Sequence, residues 1–182
     1  MVIDRAHVEE NQKDIVSAIL NGSIFVYPTD TIYGIGCNAL NRDAITKIRQ
    51  LKRREIKPFS IIAPNQEWIE HHCVVNDEVS LHLDKLPGPY TLFLKLRHDH
   101  KIPDEINPSC DGTIGIRMPK HWFAEIIERA GVPFITTSVN VSGMPYMTIL
   151  ETLDETIRNN VDFIIYEGEN NGRESIKIDL TR

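Results

Sequence analysis

A single α/β domain built on a twisted, partly parallel sheet is the fold class the sequence predicts. Short β-branched and aromatic runs alternate with helical-period segments along the whole chain, without internal repeat or low-complexity linker. The 182 residues are 41% hydrophobic and 25% charged, the balance of a soluble globular protein and enough chain for one packed core over residues 1–182. Polar loops containing glycine follow several of the runs, as they do where an α/β sheet turns its strand ends toward a ligand.

The elements follow in order. Val8, Ile15, Val16, Ile19 and Leu20 predict one helix over residues 6–20, ended by Gly22 in a left-handed cap. Residues 23–27 read as a buried strand stopped by Pro28. Asn41 is the predicted N-cap of a helix that buries Ala44, Ile45, Ile48 and Leu51 and turns its other side, which is basic, outward. A strand over 59–63 comes next, then two helices capped by Asn65 and Asn76 and a turn at Pro87-Gly88-Pro89. Strands over 90–96 and 113–118 are separated by a loop rich in proline and charge. A helix over 121–130 capped by Gly131, a strand over 133–137, a polar loop over 138–145 and a helix starting near Thr148 follow. Strands over 161–166 and 176–180 complete the chain.

Charge and composition exclude several classes. Twenty Lys plus Arg against 26 Asp plus Glu leave a net charge of −6, so no surface-wide coat of nucleic acid is expected and any polyanion site is local. The apolar runs are far shorter than the roughly 20 residues of a membrane span, and residues 1–10 lack a secretory apolar core; the expectation is a cytoplasmic protein with no membrane contact. Cys37, Cys73 and Cys110 are odd in number and form no Cys-x-x-Cys pair, which argues against a disulfide framework.

Four constellations carry chemistry. In Tyr27-Pro28-Thr29-Asp30-Thr31-Ile32-Tyr33-Gly34-Ile35-Gly36, Thr29 and Thr31 offer hydroxyls to a small polar ligand and Gly34 and Gly36 let backbone approach it; read alone, the segment is a turn. Gly34-x-Gly36-x-x-Ala39 also fits a loose dinucleotide fingerprint, but seven residues part Tyr27 from Gly34 and no acid ends the next strand. Lys47, Arg49, Lys52, Arg53, Arg54 and Lys57 form a basic cluster, on its own most simply a solvated helix face. For Lys52 and Arg54 to grip one anion, the helix must end before Arg54.

Strand alternation in Thr113-Ile114-Gly115-Ile116-Arg117 sets the isoleucines toward the core and Thr113, Gly115 and Arg117 on the other face, with Gly115 leaving space beside a guanidinium suited to carboxylate or phosphate. The run Thr136-Thr137-Ser138-Val139-Asn140-Val141-Ser142-Gly143 adds neutral donors and acceptors at a strand's exit. His71-His72 and His98-Asp99-His100 lack metal-ligand spacing, and Cys37 has no base paired with it in the sequence, so no metal site and no thiol nucleophile is expected.

Taken in order, Tyr27-Pro28-Thr29-Asp30-Thr31, Tyr33-Gly34-x-Gly36, Lys52-x-Arg54, Pro87-Gly88-Pro89, Gly115-Ile116-Arg117-Met118-Pro119, Ser138-x-Asn140-x-Ser142-Gly143 and Ser175 ahead of Ile178-Asp179-Leu180 resemble the YrdC-like family over nearly the whole chain. The resemblance implies a mixed sheet with flanking helices around a concave basic cavity. It also implies a threonylcarbamoyl-AMP synthase reaction, in which L-threonine, bicarbonate and ATP, with Mg²⁺ carried by the nucleotide, give threonylcarbamoyl-AMP and pyrophosphate. A partner transferase then modifies adenosine 37 of tRNA.

Carried over residue by residue, Thr29 or Thr31, Arg117, Ser138 and Ser175 contact threonine or its carbamate; Lys52, Arg54, Thr113, Asn140 and Thr148 contact the nucleotide; Lys52, Arg54 and Arg117 are the catalytic cations. Holding two anions close and in line needs cations rather than a protein nucleophile. The competing expectation is a YrdC-like module that binds a nucleotide, tRNA or double-stranded RNA in the basic cavity without adenylation.

Overall fold

The computed structural model describes residues 1–98 and 100–182, so Asp99 of the His98-Asp99-His100 triplet lies outside the described residues. The first half of the chain runs β1 (Val2–Ile3), α1 (Arg5–Glu10), α2 (Gln12–Leu20), β2 (Phe25–Tyr27), β3 (Gly34–Gly36), α3 (Arg42–Lys52), β4 (Ser60–Ile62), α4 (Gln66–His72) and α5 (Asp77–Leu83). The second half runs β5 (Tyr90–Lys95), β6 (Thr113–Arg117), α6 (Phe123–Ala130), β7 (Phe134–Ser138), α7 (Glu155–Asn160), β8 (Phe163–Ile165) and β9 (Ile176–Asp179).

These strands form one mixed sheet in the order β1-β8-β2-β3-β7-β4-β6-β5-β9. The β1–β8, β2–β8, β4–β6 and β5–β9 pairs are parallel, and the rest are antiparallel. The expected α/β class and partly parallel sheet are present.

Period-two alternation sorts the strand residues between two apolar layers. Val26, Ile35, Ile61, Ile116 and Ile135 pack with α3, α4, α5 and α7 through Ile45, Ile48, Ile69, Val79 and Ile157. Phe25, Tyr27, Ile62 and Phe134 face the other way, onto α2 and α6 through Ile15, Ile19, Phe123 and Ile127. Those two helices cover only part of their face. Further along the same strands the residues become Ser60, Thr136 and Ser138, and beyond them stand Gly115 and Arg117 of β6 and Thr91 of β5. The uncovered part of that face is where a ligand has room.

Helix ends follow the predicted chemistry. Asn41, Asn65 and Asn76 each accept a backbone N–H from the first turn of α3, α4 and α5. Gly22 and Gly131 sit at positive φ after α2 and α6. Arg53 caps α3 in the left-handed region, so that helix stops before Arg54 as the spacing argument requires.

Three expectations are corrected and one strand is added. The predicted helix over 6–20 is two, because Asn11 leaves helical dihedrals and its side chain bonds to the His7 carbonyl, competing with the helical ladder. The helix expected from Thr148 begins only at Asp154, whose carboxylate caps it, after a short 3₁₀ turn at Leu150–Thr152. Val2–Ile3 is a strand too short to show a period. Gly34-Ile35-Gly36, read as a glycine loop, is the strand between β2 and β7. Glycine is required there for closeness: a Cβ at Gly36 would lie 1.8 Å from the Ile135 carbonyl oxygen.

Gly36→Ala is therefore expected to force β3 away from β7 and lower stability by about 1–3 kcal/mol, read as a shift of the urea midpoint at unchanged slope.

Candidate functional site

The uncovered face holds a hollow of about 650 Å³, counted to its open mouth. The segment after β2 contributes Thr31 and Tyr33, the end of α3 brings Arg54, and β4 places Ser60 on the floor. Thr91 and Arg117 come from β5 and β6, Thr136 to Ser138 from β7, and Glu174, Ser175 and Lys177 from the segment entering β9.

Arg117 is 6% exposed. Its Nη2 donates to Asp30 Oδ1 at 2.8 Å, and Asp30 Oδ2 accepts the Lys120 backbone N–H at 2.9 Å. Both partners are nearly buried, so the pair orients the guanidinium and is more than a surface contact. Burial pulls the Arg117 pKa down, and Asp30 opposes that shift. Arg117 Nε is buried and has no hydrogen-bond partner among the described residues. The space expected beside Gly115 is filled from below: a Cβ there would meet Ser60 Oγ at 2.4 Å and the Phe93 ring at 3.2 Å.

Arg54 donates to the Lys57 carbonyl at 3.2 Å, the Pro58 carbonyl at 2.5 Å and Thr137 Oγ1 at 3.3 Å, and lies over the Phe59 ring. Lys52 stands one layer behind the lining and is 1% exposed. Its ammonium donates to the Ser138 carbonyl, to the Asn140 carbonyl at 2.9 Å and to Asn140 Oδ1 at 3.0 Å. Burial, with Arg54 adding to it, lowers the Lys52 pKa from 10.5 to about 7. Three oxygen acceptors around three N–H donors pull the other way, toward the charged form.

Asn140 completes this support. Its Oδ1 also accepts from Ser138 Oγ at 2.7 Å, and its Nδ2 donates to the Met144 carbonyl at 2.6 Å.

Of the residues singled out from sequence, the structure brings Thr31, Arg54, Arg117, Ser138 and Ser175 to one cavity. Thr29 holds the turn behind it, bonding Thr31 Oγ1 at 3.0 Å and the Ile32 carbonyl at 2.7 Å. Lys52 and Asn140 brace the β7 exit without lining the hollow. Thr113 and Thr148 are not brought there. The Thr113 hydroxyl is tied to Asp111 at 2.6 Å beside a different hollow, and Thr148 meets Asn170 through its carbonyl and Thr152 through its N–H.

The basic cluster does not form one open face, because Arg49 donates to the carbonyls of Arg54, Glu55, Lys57, Glu105 and Ile106. Cys37 is buried with its thiol pKa pushed up by desolvation, unlike a reactive thiolate, and His72 stacks on Trp68 and bonds to its carbonyl.

Sequence reasoning missed Ser60, Thr91, Tyr33, Glu174 and Lys177 as lining residues, and missed that Asp30 is the counter-ion of Arg117. Thr91 alternates with Tyr90, Leu92 and Leu94 and so lies on the opposite face of β5, where alternation alone reads as an ordinary polar face and gives no sign of a cavity.

The segment over 166–175 crosses the mouth as a strap. Tyr33 Oη donates to the Gly168 carbonyl at 2.7 Å and accepts the Glu167 N–H at 3.2 Å; burial raises the Tyr33 pKa to about 12, keeping it a donor. Glu167 accepts from Trp122 Nε1 and pairs with His121 Nε2, each at 2.9 Å. Gly172 lies so close to Thr31 that a Cβ would sit 1.7 Å from the Thr31 carbonyl oxygen, and Ser175 Oγ bonds Thr91 Oγ1 at 2.6 Å.

A layered α/β protein with hydroxyls and fixed guanidiniums around a hollow on an uncovered sheet face belongs to the class that binds small anionic ligands. The chain is a member of the Sua5/YciO/YrdC family, whose model, described as telomere recombination, matches residues 17–182. A Methanocaldococcus jannaschii protein provisionally named threonylcarbamoyl-AMP synthase is 40% identical over 167 residues, spanning 88% of this chain and 77% of that protein. A Photobacterium profundum threonylcarbamoyl-AMP synthase is 28% identical over 175 residues, 91% of each.

The crystal structure of Pyrococcus abyssi Sua5 complexed with L-threonine superposes with a TM-score of 0.88 at 29% identity over 100% of this chain. The chain spans 55% of that protein, about half its length.

Two measurements follow from the buried cations. Asp30→Ala leaves the Arg117 charge buried without its counter-ion and is expected to cost about 3 kcal/mol in denaturant unfolding. Burial lowers the Lys52 pKa in the folded chain while the unfolded chain keeps its ordinary value of 10.5. On raising the pH the folded chain gives up this proton first, so the residue makes stability rise with pH on the alkaline side, up to about 10.5. Lys52→Met removes that slope, which urea unfolding on both sides of pH 7 measures.

Proposed function

We propose that the chain is a threonylcarbamoyl-AMP synthase, joining L-threonine, bicarbonate and ATP and releasing pyrophosphate. The observation that carries this reading is the Arg117 guanidinium, fixed by Asp30 through one nitrogen, with Nε unpartnered, in a lining otherwise rich in hydroxyls. Such a group suits a carboxylate held in one orientation, and the Pyrococcus abyssi relative is described as complexed with an amino acid.

In this reading Arg117 holds the threonine carboxylate, and the hydroxyls of Thr31 and Ser175 take its polar side chain or carbamate. The threonine nitrogen adds to the carbon of bicarbonate with loss of water. One carbamate oxygen then attacks the α-phosphorus of ATP while the bond to the β-phosphate breaks and pyrophosphate leaves with the electron pair. Arg54 offsets phosphate charge as it builds, and no side chain has to act as nucleophile. Lys52 and Asn140 act through Ser138, keeping the β7 exit in place. Glu174 is the one carboxylate among the described lining residues, so magnesium enters bound to the nucleotide's phosphates as part of the substrate.

The product is a reactive mixed anhydride, suited to hand-over in the cytoplasm to a transferase that modifies adenosine 37 of tRNA. A surface for RNA itself is disfavoured by the turning of Arg49 and Arg54 onto backbone carbonyls and by the net charge of −6. No helix among the described residues is long and apolar enough to cross a membrane.

Incubated with ATP, bicarbonate and single amino acids, the protein is expected to release pyrophosphate with threonine and not with valine or alanine. Arg54→Gln should lower that rate about a hundredfold with circular dichroism unchanged. Release independent of the amino acid would refute the assignment.

A further inference from the structure

The cations at the cavity are not equally available. All three N–H donors of Lys52 have oxygen acceptors, Arg54 is tied to two carbonyls and Thr137, and Arg117 is paired with Asp30. Lys177 lines the same hollow and is exposed, and among the described residues it forms neither an ion pair within 4 Å nor a side-chain hydrogen bond. Among the described lining cations it is the one with all of its donors free.

Strand register puts it in line with the anchored guanidinium. Lys177 pairs with Thr91, and because Leu92 pairs with Ile116, Thr91 stands beside Arg117. Three directly opposed residues share a face, so Lys177 and Arg117 flank Thr91 with backbones about 10 Å apart across two strand spacings. Alternation along β9 agrees: Ser175 and Lys177 both line the cavity, whereas Ile178 packs against the core. Glu174 is the one acidic residue among the described residues of the lining, and it forms no ion pair with Lys177 within 4 Å.

We propose that Lys177 is a further nucleotide-binding residue, whose ammonium takes the phosphates beyond the α-phosphate and so distinguishes a nucleoside triphosphate from a monophosphate. The inference rests on the synthase reading for the identity of the nucleotide. If Arg117 anchors threonine, the α-phosphate must lie near the carbamate on the inner side. The rest of the chain of phosphates then extends toward Lys177 on β9, the strand at the sheet's edge. A flexible, fully hydrated lysine suits a group that must grip and release, where a rigid guanidinium fork suits one that must orient.

The test is calorimetric titration of the full chain and of Lys177→Gln and Lys177→Arg with ATP, AMP and L-threonine. Lys177→Gln is expected to weaken ATP about tenfold, or about 1.4 kcal/mol, to flatten its salt dependence, and to leave AMP and threonine unchanged. Lys177→Arg should recover most of the loss. Equal effects on ATP and AMP, or no effect on either, would overturn the proposal. So would a Lys177→Gln protein that self-associates in gel filtration while binding ATP normally, since the lysine would then only guard an edge strand. ATP binding that depends on Lys177 without threonine-dependent pyrophosphate release would sustain this inference and reject the synthase reading; a wild-type chain that binds no ATP would reject both.

Discussion

Burying a positive charge is tolerable only when oxygen atoms replace the water it loses, and this constraint organises the wall of the cavity. Lys52 is surrounded by three oxygens from Ser138 and Asn140, Arg117 is met by Asp30, and Arg54 by the carbonyls of Lys57 and Pro58. Each of these contacts joins elements far apart in the chain or fixes a loop that would otherwise be free. The charges that suit an anionic ligand therefore also hold the α3 end, the β7 exit and the segment after β2 in mutual register.

The cavity exists because two helices do not cover a whole sheet face. Where α2 and α6 lie, β4 and β7 present Ile62 and Phe134; where they end, the same strands present Ser60, Thr136 and Ser138. The change happens within a single strand at period two, without any interruption of its hydrogen bonds. A site carried on strands in this way is stiffer than one carried on loops alone. The loops then add what strands cannot, the close approach of Gly172 to Thr31 and the Tyr33 clamp on the strap.

Electrostatics reverse sign between molecule and site. A chain of net charge −6 places two guanidiniums and a lysine against a single carboxylate in this hollow. Dispersed acids repel polyanions in general, while the low-dielectric cavity focuses attraction on an anion small enough to enter. That contrast favours a nucleotide over a nucleic acid as the ligand that the arrangement serves, in keeping with the family to which the chain belongs.

Local chemistry in the sequence was sufficient to place the helix caps at Asn41, Asn65 and Asn76 and the alternation that turns Ile114 and Ile116 inward. Each depends on residues within a few positions of one another, where dihedral preference and period act directly. Tertiary structure alone decided that Gly34–Gly36 is a strand, since its reason is the Ile135 carbonyl a hundred positions away, and that Ser60, Thr91 and Lys177 line the hollow while Thr113 and Thr148 do not. It also decided that Lys52 supports the site from behind while Arg117 lines it, because a side chain's role as ligand-binding or bracing depends on which distant oxygens reach it first.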